Sequence, residues 1–255
     1  MHITIFYFSG TGNTEWVSKK TQELLIKNNH LADIFKIEKL NDDSLILNAI
    51  KSSDYIGFAY PLYGADIPRI MRNFINRFID LSNTAEKENA KLFFINTFGY
   101  VNGCGIFRAR KLLAKCKYPI HSYFNFRLVN NTSPNADGSL LGKNMPDDFK
   151  NKAINRIDKL IKSLESGKTT IQGIGSHLLM GMLIRRILRD EVRKNYKNMS
   201  VNYSSCIKCM KCLKSCPTES IHFSDDKFTF TDTCETCWRC FRLCPTSSIS
   251  MNKNN

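Results

Sequence analysis

Over the first 165 positions, apolar residues fall into short runs separated by polar, helix-compatible stretches. Residues 3–8, 32–37, 55–59, 91–97 and 120–128 have strand length and are rich in aromatic and β-branched side chains. Between them, residues 15–28, 67–80 and 108–115 carry apolar positions at helical spacing. A polar loop covers 130–144. Pro146 then stands at a helix first turn with Asp147 and Asp148, and Gly167 closes that helix. Strands alternating with helices predict an α/β fold, a doubly wound five-stranded parallel sheet covered on both faces.

The pattern changes at residue 166. Residues 166–200 hold seven basic and two acidic residues, with Met180, Leu183, Ile184, Ile187 and Leu188 at helical spacing. This reads as a helical connector packed against a neighbouring domain; association with a membrane surface is the alternative. Residues 201–255 contain a repeat: 206–221 and 234–249 are identical at eight of sixteen positions. The chain therefore divides into domains at 1–165 and 201–255, joined by 166–200.

Composition narrows the function. With 42% hydrophobic and 24% charged residues, the 255-residue chain can bury a real core. No run of eighteen apolar residues is present, so no membrane span is expected. Met1-His2 leads straight into an apolar run without a basic n-region or cleavage site, which predicts a cytoplasmic location. The net charge of +14 raises nucleic acid as a partner, but no nucleic-acid motif accompanies it and none is expected. Ten cysteines in a reducing compartment point to metal binding instead of disulfides.

Each repeat reads Cys-x2-Cys-x2-Cys-x3-Cys-Pro. Paired zinc knuckles would use two thiolates from each of two separated loops and leave the even triplets unexplained. The spacing is that of bacterial two-cluster ferredoxins, and residues 201–255 resemble a 2[4Fe-4S] member of that family. Three closely spaced thiolates wrap one cluster, and the fourth, beyond a turn, completes its neighbour. One set is then Cys206, Cys209, Cys212 and Cys244; the other is Cys234, Cys237, Cys240 and Cys216. Met210 and Trp238 stand where that family usually has glycine.

Near the N-terminus the first strand runs into Ser9-Gly10-Thr11-Gly12-Asn13-Thr14 and then a helix. Helix-start amides and hydroxyls bind phosphate. The loop lacks the Gly-Lys-Ser/Thr of a triphosphate loop and the third glycine of a dinucleotide fingerprint, so a single monophosphate suits it. With these residues the first 165 positions resemble flavodoxins, which implies a flavodoxin-like sheet and bound flavin mononucleotide (FMN). Ser9, Thr11, Gly12, Asn13 and Thr14 would hold the phosphate. Pro61, Leu62, Tyr63 and Gly64, with Thr97, Phe98, Gly99 and Tyr100, would flank the ring. Cys104 and Cys116 read as packing residues.

As a whole the chain resembles flavodoxin–ferredoxin fusion proteins of anaerobic bacteria: a flavodoxin-like domain followed by a small α+β dicluster ferredoxin-like domain. That implies electron transfer between two [4Fe-4S] clusters and FMN, with redox proteins as partners. The basic charge makes those partners acidic, with Lys208, Lys211, Lys214, Arg239 and Arg242 as candidate contacts. No catalytic set is legible. An FMN-dependent reductase of a small oxidised substrate and a redox-responsive regulator remain as alternatives.

Overall fold

The computed structural model describes residues 1–87, 89–100, 102, 105–130, 145–174, 183, 185–188, 192 and 194–251. The five expected strands are present as β1 (His2–Tyr7), β2 (Leu31–Lys36), β3 (Tyr55–Pro61), β4 (Lys91–Phe98) and β5 (Ile120–Arg127). All neighbours pair in parallel. A sixth strand, β6 (Thr170–Ile171), extends the edge, giving the order β2-β1-β3-β4-β5-β6. The expectation of five strands is thereby corrected. Gly167, left-handed at φ 66°, ends the preceding helix and the chain returns to the sheet for two residues, too few for a hydrophobic pattern to register.

Helices α1 (Asn13–Lys27), α2 (Asp43–Ser52), α3 (Arg69–Thr84), α4 (Gly105–Leu112) and α5 (Asp147–Ser166) cover the two faces. Helix α2 was not among the expected elements. Asp42 caps it by accepting from Ser44 N, and it buries Ile46, Ala49 and Ile50. Strand residues alternate between the faces. Phe6, Phe58 and Phe94 join α2, α3 and α4 in one core. Ile3, Ile5, Phe93, Ile95 and Phe124 join α1 and α5 in the other. Phe6, Phe58 and Phe94 lie opposite one another in register, with ring centroids 6.4 and 5.5 Å apart. Each is wholly buried, contributing about 1.5–3 kcal/mol. The order β2-β1-β3-β4-β5 is flavodoxin-like, with its crevice at the carboxyl ends of β1 and β3, where the winding reverses.

The C-terminal part is a small α+β unit. β7 (Met199–Val201) pairs antiparallel with β10 (Ile249–Met251), and β8 (Ile221–Ser224) with β9 (Lys227–Phe230). Asp225 and Asp226, both at positive φ, make the tight turn between β8 and β9. Short helices span Lys211–Lys214 and Arg239–Leu243. Most of the expected 130–144 loop, Met180 and Ile184 of the connector stripe, and Cys104 lie outside the described residues. Leu183 and Ile187 of the stripe are exposed.

Candidate functional site

Strand β1 delivers Ser9 to the crevice. The chain then turns at Gly12 (φ 96°), which starts α1 without a side-chain cap, and Gly12 N donates to Ser9 Oγ at 3.1 Å. Thr14 Oγ1 meets Thr97 Oγ1 at 2.7 Å, tying the loop to the end of β4, and Asn13 Nδ2 donates to Val129 O at 2.8 Å. Ser9, Gly10, Thr11, Asn13 and Thr14 line one wall of a narrow cleft. Pro61, Leu62, Tyr63, Thr97, Phe98 and Gly99 line the rest, joined by Val129 and Asn130. Those last two were not legible in the sequence, because only sheet pairing brings the end of β5 beside β4. Of the remaining expected residues, Gly12 and Gly64 shape turns at positive φ, and Tyr100 is 75% exposed; none of the three lines the cleft. Buried hydroxyls and helix-start amides, with no cation among the described lining residues, make a donor set suited to a phosphate ester.

The eight repeat cysteines gather into two cavities, and the membership is crossed. Cys206, Cys209, Cys212 and Cys244 line one, together with Met210, Phe228 and Ile249. Cys234, Cys237, Cys240 and Cys216 line the other, with Trp238, Phe230 and Met251. Among the described residues, no three His, Cys, Asp or Glu side chains are grouped closely enough for a single metal ion. The loops use left-handed backbone at Lys208, Met210, Thr236 and Trp238, which accounts for glycine at the positions of Met210 and Trp238 in the ferredoxin pattern. Backbone amides donate to sulfur in both cavities: Ser220 N to Cys216 at 3.4 Å, Thr236 N to Cys234 at 3.3 Å and Ser248 N to Cys244 at 3.2 Å. Burial pushes the Cys237 thiol up to about 12, outweighing the amide and the charge of Arg239, so a bare thiol there keeps its proton. Burial would also raise Cys244, but the Ser248 amide and the Thr246 hydroxyl and amide outweigh it and lower that thiol.

The cavities differ in their surroundings. Cys209 is exposed, and its neighbour Ile207 is 64% exposed. Cys237 is buried and belongs to the same apolar core as Phe6 and Phe58. A Cβ on Gly10 would collide with Tyr63 Oη and come within 2.8 Å of both Cβ and the carbonyl oxygen of Cys237. The buried cysteine cavity thus abuts the hydroxyl-rich loop directly, which only glycine permits. Glu235 adds to this contact by accepting from Ile70 N at 2.8 Å in the first turn of α3, while Arg69 Nη2 donates to Asp232 O at 2.9 Å. A carboxylate at a helix N-terminus satisfies an orphan donor and complements the helix dipole.

The family model of a 4Fe-4S dicluster domain matches residues 199–251. No curated protein sequence matches the chain. Among solved structures, rubredoxin oxygen:oxidoreductase from Desulfovibrio gigas is similar at 14% identity and TM-score 0.46, over 65% of this chain. The chain spans about a third of that protein, 36%. A flavodoxin from Streptococcus pneumoniae TIGR4 is 15% identical, with TM-score 0.45, over 65% of this chain and 99% of its own. An NAD(P)H:quinone oxidoreductase from Methanothermobacter marburgensis is 14% identical, with TM-score 0.44, over 65% and 96%. Strand order, not these distant likenesses, defines the first fold. The chain joins a flavodoxin-like sheet to a 4Fe-4S dicluster domain. The dicluster match points to redox chemistry in the C-terminal part.

Proposed function

We propose that the chain relays electrons internally between two [4Fe-4S] clusters and FMN, coupling external redox proteins. On this reading Cys206, Cys209, Cys212 and Cys244 hold one cluster, Cys234, Cys237, Cys240 and Cys216 the other, and residues 1–165 hold FMN. The residues fit these groups: the thiols surround two cavities, and the donors of Ser9, Thr11 and Thr14 with the start of α1 suit a flavin phosphate. When bound, the clusters exchange single electrons and the flavin one or two. The observation that carries the proposal is the packing of Cys237 on Gly10 and Tyr63.

The chain's own residues give the relay a direction in space. Cys237 is packed into the α/β core, whereas Cys209 and Ile207 offer the outer set to a partner. Among the described residues lining the cleft, Tyr63 alone is titratable. Burial, with Cys237 next in size, holds its hydroxyl protonated. The nine described cysteines are all free, which fits a reducing, cytoplasmic setting, and among the described residues no helix is long and apolar enough to cross a membrane.

The test is kinetic. After rapid reduction of the outer site in the intact chain, flavin absorbance should bleach at a rate independent of protein concentration. A rate that rises in proportion to concentration would mean transfer between molecules and would end the internal relay.

A further inference from the structure

Arg239 lies between two cluster-ligand positions, yet its side chain leaves the cysteines and enters the other fold. It is 8% exposed, and every guanidinium nitrogen is engaged. Nε donates to Gly10 O at 3.1 Å and Nη2 to Ser9 O at 2.7 Å. Nη1 donates to Ser215 O at 3.0 Å, beside Cys216. Glu38 grips the outer edge, its two oxygens each 2.6 Å from a terminal nitrogen, and the guanidinium carbon stands 5.9 Å from the Phe8 ring centroid.

From this geometry we infer that Arg239 is a positioning residue for the phosphate loop, so that selectivity for a phosphorylated flavin is set from the cluster domain. The inference rests on the flavin reading above. In a trans peptide the N–H points opposite to the C=O, and the described chain has no cis bond. Fixing the carbonyls of Ser9 and Gly10 on Arg239 therefore turns the N–H groups of Gly10 and Thr11 to the other side of the loop, and both residues line the cleft. The loop has no lysine or arginine of its own, and Glu38 balances the charge of Arg239. What Arg239 supplies is orientation. A planar fork can hold two successive carbonyls at once; an ammonium cannot reproduce that.

The experiment uses full-length protein with its clusters in place and its flavin removed, titrated with FMN and separately with riboflavin by fluorescence quenching. Riboflavin shares the ring and lacks the phosphate. Wild type should bind FMN more tightly than riboflavin. Arg239→Gln and Arg239→Lys should each weaken FMN roughly tenfold or more while leaving riboflavin nearly unchanged. Arg239→Lys keeps the charge opposite Glu38 and so keeps the fold testable if the glutamine variant does not. Wild-type FMN affinity in Arg239→Lys would make the role one of charge and overturn the inference. Equal loss of both ligands would do the same, since it reports a damaged interface. Wild type that binds neither ligand would instead bring down the flavin reading itself.

Discussion

Thr14 and Ser18 sit one turn apart on α1 and are both buried, but only the Thr14 hydroxyl reaches the cleft. Ser18 Oγ donates to Thr14 O within the helix. Thr14→Val should therefore weaken FMN binding roughly tenfold, and Ser18→Ala only slightly, as read by fluorescence titration. Equal retention would remove Thr14 from the phosphate loop. The left-handed residues of the cysteine loops give a second contrast. Left-handed backbone costs a non-glycine residue about 1 kcal/mol, so Met210→Gly should raise resistance to urea by up to that amount. Trp238→Gly relieves the same backbone but loses a ring packed edge-on to Phe241 at 5.3 Å. It should lower stability by about 2 kcal/mol.

Among the secondary-structure elements, one carboxylate and one cysteine join parts distant in sequence. Asp66, 3% exposed, accepts from Arg185 of the connector at 2.8 Å and pairs with Arg108 of α4 at 3.3 Å and Arg72 of α3 at 3.5 Å. Burial would raise its carboxyl, but the hydrogen bond and charge of Arg185 and the charge of Arg108 hold it below the ordinary 3.8. Because the folded value is the lower one, the pairing is intact above pH ~4 and lost only as pH falls through that depressed value. Asp66→Asn should cost about 3 kcal/mol in urea unfolding at neutral pH and speed amide exchange around Arg185. Cys216 follows the first cysteine triplet in sequence but lines the cavity of the second. On the proposed ligation, Cys216→Ser should alter the EPR signal of the cluster held by Cys234, Cys237 and Cys240 and spare the other. The opposite result would refute the crossed assignment. Five strands were legible because each is a short run rich in aromatic and β-branched residues bounded by polar stretches. Helix α2 carries a sequence signal in its Asp42 cap, whereas β6, two residues long, carries none.

For the whole molecule, the distribution of charge changes once the fold is known. Arg239 and Arg242, expected on a docking surface, are buried at 8% and 9% exposure: Arg239 enters the α/β fold, and the Arg242 guanidinium lies 5.6 Å from the Phe241 ring centroid. Lys208 is paired with Asp226 at 3.0 Å, while Lys211 and Lys214 stay exposed beside the outer cysteine set. If the proposed partner is acidic, Lys211→Glu with Lys214→Glu should slow reduction by an acidic ferredoxin several-fold at low salt and little at high salt. A salt-independent effect would exclude docking at this surface.

What the amino-acid sequence determined by itself was local. The cysteine triplets, the glycine- and threonine-rich turn and the strand–helix alternation each lie within a few residues, where spacing alone carries the geometry. The tertiary structure decided what needed distant segments to meet. Val129 and Asn130 reach the cleft through the pairing of β5 with β4, and Cys237 meets Gly10 across the domain boundary. Arg239 was legible as a charge between cysteines, and a charge has no direction in a sequence. Only packing shows that this one is desolvated, held by Glu38 and turned toward the carbonyls of Ser9 and Gly10.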